Sequence, residues 1–133
     1  MKQSEPTRDI TIPVEIEEIV TEQTKDEYIQ KLWQIASAKG EVNWKINRLE
    51  WNDAQNIRKL AGVIVKDVRR ITGELRARVI VPKNLQRRIV EKTHRASHAG
   101  INGTYHALQR DHWFRGMKRA VKDELDTVPT VLL

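Results

Sequence analysis

The chain has 133 residues, 39% of them hydrophobic and 32% charged, with no cysteine and a formal net charge of +6. That length holds one domain or two very small ones, with at most a small core. The composition rules out disulfides, thiolate metal ligands and cysteine-based catalysis. No apolar run approaches the roughly 18–20 residues of a membrane span, and the N-terminus has no signal-peptide apolar stretch. The charge is unevenly placed. Residues 1–53 hold 7 Lys and Arg against 11 Asp and Glu, net −4, whereas the remaining 80 hold 17 against 7, net +10. A basic half of that density attracts polyanions, nucleic acid first among them.

Residues 1–9 are polar and expected to be disordered. Val14 to Gln23 follows Pro13 and mixes Glu15, Glu17, Glu18 and Glu22 with apolar residues, which predicts a short acidic helix. Thr24-Lys25-Asp26-Glu27 reads as a T-x-x-E capping box for a second helix over about 26–39. That helix carries Tyr28, Leu32, Ile35 and Ala36 at helical spacing and stops at Gly40. Residues 41–59 give no clear pattern; Trp44 and Trp51 are expected to anchor a small core. Leu60 to Lys66 and Arg76 to Val81 read as two strands of a β-hairpin, with Thr72-Gly73-Glu74 between them and Pro82 ending the second.

Three more helices are predicted. Asn84 caps the first, whose stripe is Leu85, Ile89 and Val90 up to His94. Residues 99–103 read as a turn, and the second helix starts near Thr104 with Tyr105 and Leu108. Gly116 breaks the chain before a third helix marked by Met117, Val121 and Leu125. The fold class expected is mainly α with one small β-hairpin. A helical and hairpin extension over 10–81 precedes a three-helix, helix-turn-helix-containing domain over 82–133.

Among chemistry-bearing residues, His94 and His98 form an H-x3-H pair. On one continuous helix both imidazoles share a face, and a turn also brings them together. Alone, the spacing is a weak metal signal. His106 and His112 add no familiar ligand spacing, and there is no catalytic Ser, Walker or zinc-protease motif. Arg87, Arg88, Lys92 and Arg95 decorate the first of the three helices. Arg110 and Arg115 precede the third, which carries Lys118, Arg119 and Lys122. These nine are the expected phosphate contacts, and Arg69, Arg70, Arg76 and Arg78 on the hairpin are further candidates.

Read together, the blocks Val81-Pro82-Lys83-Asn84-Leu85, His94-x3-His98-Ala99-Gly100-Ile101, Thr104 with Leu108, His112-Trp113-Phe114-Arg115-Gly116-Met117, Val121 and Asp126 to Val131 resemble the zinc-binding N-terminal domain of retroelement integrases, closest to gypsy-type LTR retrotransposons. The resemblance implies that His94 and His98 match the zinc histidines, and that Val128 and Val131 stand where the family has its two cysteines. Arg115 sits where many relatives have Pro. Valine has no lone pair to coordinate zinc, so the pair is expected to be a relic binding no zinc or weak zinc. The resemblance further implies contact with retroelement-end DNA, partnership with the integrase catalytic core or other protomers, and a possible homo-oligomer. The carboxylate core of that family is expected to lie downstream, so the chain is expected to be non-enzymatic, intracellular, and nuclear if it acts on DNA. A domesticated protein-interaction module and a truncated polyprotein fragment remain as alternatives.

Overall fold

A computed structural model describes residues 16–38 and 46–126. The expectations for residues 1–9, Gly40, Trp44, Val128 and Val131 lie outside those residues. The described chain is mostly helical with a small sheet. In order it runs α1 (Ile16–Lys25), α2 (Glu27–Ser37), α3 (Arg48–Asp53), β1 (Ile57–Leu60), β2 (Val63–Arg69), β3 (Leu75–Ile80), α4 (Lys83–Ser97), α5 (Ile101–Gln109), β4 (His112–Trp113) and α6 (Met117–Asp126).

The sheet is larger than the expected hairpin. Its order is β1-β2-β3-β4, with β4 added parallel to β3 and the other pairs antiparallel. The apolar run from Leu60 is not one strand. Ala61 and Gly62 both take positive φ, +53° and +86°, the geometry of a two-residue hairpin turn whose twist matches the strands. Leu60 therefore pairs with Val63 across it. Strand alternation then sorts β2 and β3 onto two faces. Val63, Val65, Val79 and Val81 enter the main core with Ile19 of α1 and Leu85, Ile89, Leu108, Phe114, Met117 and Val121. Ile64 and Ile80 point the other way, onto Ile29 of α2, with Trp33 and Trp113 beside them. The main core thus draws on residues from both sides of position 82.

Several local expectations need correction. Thr24 is not a helix cap; it lies in α1 and donates to the carbonyl of Thr21. Asp26 caps α2, accepting from the Ile29 amide at 2.9 Å. Its second oxygen accepts from the Lys83 amide at 2.7 Å, so one carboxylate serves the N-termini of α2 and α4. Asn84 does not cap α4: Pro82 holds that position, and the Asn84 amide donates to Glu22. Trp51 is not a core anchor, being 52% exposed. α5 begins at Ile101 rather than near Thr104.

Candidate functional site

The buried stripe of Leu85, Ile89 and Val90 fixes the rotation of α4. It turns Arg87, Lys92 and Arg95 to solvent and leaves His94 half-buried in the last turn. His98 lies just past the helix, in the left-handed region at φ +51°, with its amide bonded to the His94 carbonyl at 2.9 Å. The H-x3-H pair therefore spans a helix end and does not lie on one continuous helical face. Side chains brace the turn that follows. Thr104 Oγ1 donates to the Ala99 carbonyl at 3.2 Å and lies 3.4 Å from Ser97 Oγ. Gly103 brings α5 so close that a Cβ there would meet the Ala99 Cβ at 2.5 Å.

The donor set around this pair does not fit structural zinc, which takes four Cys, His or carboxylate ligands. Among the described residues no group of three or more His, Cys, Asp or Glu could hold a metal ion, and the sequence contains no cysteine. The other histidines are otherwise engaged. His106 is exposed, with its Nδ1 3.1 Å from Gln109 Nε2. His112 is buried and its Nδ1 lies 3.0 Å from the Leu108 carbonyl. Because a carbonyl only accepts, Nδ1 carries the proton, and Nε2 is buried without a partner. Burial pushes the His112 pKa below the ordinary range, against the pull of the Leu108 carbonyl and Asp111.

The nine basic residues divide by what holds them. On α6, Lys118, Arg119 and Lys122 are exposed, as is Arg110 after α5. Arg95 with Glu91, Arg119 with Asp123 and Lys122 with Asp126 are solvent-facing i,i+4 pairs at 3.2, 3.2 and 3.5 Å. Such pairs contribute only about 0.3–0.5 kcal/mol each, so they yield readily to a competing phosphate. Lys118 Nζ lies 5.7 Å from the centre of the Tyr105 ring. Two arginines are more deeply committed. Arg88 pairs with Glu18, tying α4 to α1. Arg115 makes a two-point contact with Asp53, Nε to Oδ2 at 2.7 Å and Nη2 to Oδ1 at 2.9 Å. Asp53 is buried and also accepts from the Tyr28 hydroxyl. The hydrogen bonds to Asp53 and Tyr28 strengthen the hold of Arg115 on its proton, while burial and the Asp53 carboxylate raise the Tyr28 pKa.

The four hairpin arginines gather elsewhere. Arg69, Arg70, Arg76 and Arg78 line a cleft between the β2–β3 turn and the end of α5, joined by His106 and Arg110. The sequence names these four arginines as candidate phosphate contacts; the α5 wall, with His106 and Arg110, comes from the fold. Sequence pattern does not single out Asp53, Tyr28 and Gln23 as site-shaping residues: Tyr28 reads as part of the stripe of α2, Gln23 as part of an acidic helix, and Asp53 lies in the stretch without a clear pattern.

Residues 81–127 match the family model described as the integrase zinc binding domain. The matched stretch runs from the end of β3 through α6 and supports a retroviral-like integrase N-terminal domain there. It ends before Val128 and Val131. No curated protein and no solved structure matches the chain.

Proposed function

We propose that this chain is the non-catalytic N-terminal region of a gypsy-type retrotransposon integrase, binding element DNA and supporting multimerisation with other protomers or the catalytic core. The observation that carries this reading is the exposed basic surface of α4 and α6, on the stretch that matches the integrase domain. In this reading Arg87, Lys92, Arg95, Arg110, Lys118, Arg119 and Lys122 meet phosphate, while Arg88 and Arg115 hold the fold. Val128 and Val131 occupy the cysteine positions, so His94 and His98 are the relic of a metal site. Action on DNA, if the host is a eukaryote, implies the nucleus; no described helix is long and apolar enough to cross a membrane.

Titrating labelled duplex DNA by fluorescence anisotropy over a salt series tests the reading. Binding at low salt that weakens along a steep log–log slope is expected, because each neutralised phosphate releases counterions. No binding at low salt would overturn it. That outcome favours the second reading, a protein-interaction module, for which Leu49 and Trp51 on α3, both more than half exposed, offer an apolar contact surface.

A further inference from the structure

The basic surfaces of α4 and α6 are open, but the arginine cleft at the β2–β3 turn is built. Its volume is about 480 Å³, and no carboxylate is among its lining residues. The walls are fixed by arginines bound to backbone. Arg69 Nη1 donates to the Gly73 carbonyl at 2.6 Å, closing the turn. Arg76 Nε donates to the Arg110 carbonyl at 2.7 Å, and its other arm pairs with Asp111. Among the described residues, the Arg70 guanidinium has a long 3.5 Å contact with Glu74, both groups about half or more exposed. Between them Arg78 is half-buried, and its Nε is fully buried with no hydrogen-bond partner.

The surroundings of that guanidinium work against its charge on balance. Burial works against the Arg78 charge, and Arg70 and Arg76 repel it, opposed by Tyr105 and Asp111. The planar fork of an arginine matches a phosphate, which accepts two parallel N–H bonds and spreads its charge over several oxygens. A phosphodiester held in the cleft would offset the crowding of like charges around Arg78. The tip beside the cleft is fully open: Ile71 has no cover. A long polyanion could therefore run past the cleft without meeting a wall.

We infer that this cleft grips a backbone phosphate of duplex DNA, with Arg78 as the central ligand, Arg70 as a second arm and Arg76 fixing the wall. The inference rests on the DNA-binding reading above and adds a specific anchor whose arginine ligands, Arg70 and Arg78, lie outside the stretch that matches the integrase domain.

The test compares the whole chain with the Arg70→Gln/Arg78→Gln variant in duplex titrations over the salt series. Lys25→Gln/Arg48→Gln removes the same charge from the acidic half and serves as the control. The cleft variant is expected to lose affinity and to flatten the salt slope by about 2, one counterion equivalent per lost contact, whereas the control keeps the wild-type slope. Arg78→Lys retains the charge without the fork and is expected to recover part of the affinity. A direct readout that needs no variant is the Arg78 Nε–Hε resonance of the labelled wild-type protein, expected to shift as duplex is added. Wild-type binding together with an unchanged slope in the cleft variant and an unmoved Arg78 resonance would overturn the inference and leave the DNA reading standing. Failure of the wild type to bind duplex at low salt overturns both. A shift with inorganic pyrophosphate but none with duplex makes the cleft a small-anion site and overturns the DNA assignment.

Discussion

Burial makes His112 a proton-sensitive weak point. Its folded-state pKa lies below the ordinary value because burial disfavours the cation, whereas the unfolded chain titrates near 6.5. As pH falls below that value, the unfolded state takes up a proton that the folded state resists, so stability drops as pH drops. The slope reaches at most about 1.4 kcal/mol per pH unit until the lower folded-state pKa is passed, and above neutrality the contribution vanishes. Urea denaturation between pH 7.5 and 5.5 should show this loss, and His112→Phe should flatten it. An identical slope in the two proteins would rule out His112 as its origin. At this scale the sequence was legible where chemistry followed from pattern. Leu108 is buried and His106 exposed, as helical spacing requires. It was not legible where a role depends on a distant partner: Arg115 reads as one more surface cation until Asp53, 62 positions away, is brought against it.

Among the elements, the polar contact that organises the sheet comes from a helix. Gln23 of α1 is 1% exposed. Its Nε2 donates to the carbonyls of Ile64 and Ile80 at 2.9 and 2.8 Å, and its Oε1 accepts from the Ile64 amide at 2.9 Å. The β2–β3 ladder reaches Val65 opposite Val79, and the amide side chain takes over where backbone pairing stops. Gln23→Met preserves length but leaves two carbonyls and an amide unpaired in the core. It should lower stability by about 2–4 kcal/mol in chemical denaturation; a change under about 1 kcal/mol would mean that water or backbone shifts replace the contact. The long amphipathic helices were readable because their stripes repeat over several turns. Short elements were not. α3 has 6 residues and β1 has 4, too few for periodicity to emerge, and both depend on tertiary contacts. Lys66, for instance, donates to the carbonyls of Asp53 and Gln55 at the end of α3 at 2.8 and 2.6 Å.

For the molecule as a whole, the proposed loss of the metal site directs attention to what else holds the three helices together. The structure offers a shared apolar core. Leu85, Ile89 and Val90 of α4, Leu108 of α5 and Met117 and Val121 of α6 pack with the valines of β2 and β3 and Ile19 of α1. β4 returns the chain to the sheet, with the Val79 amide donating to the Asp111 carbonyl at 2.7 Å and the Val81 amide to that of Trp113 at 3.0 Å. Structural zinc contributes about 10–16 kcal/mol in finger peptides that lack such support; burying each large apolar side chain contributes about 1.5–3 kcal/mol, so several of them at one interface can stand in its place. That the main core spans both sides of position 82 could not be read from periodicity, because β4 is only two residues long and its partner strand precedes it by two helices. Zinc titration of the metal-free chain, followed by isothermal and scanning calorimetry, is the most direct test of a fold that stands without metal. No stoichiometric sub-micromolar site and an unmoved melting temperature are expected; one tightly bound zinc per chain with a large rise in melting temperature would show that the fold depends on metal.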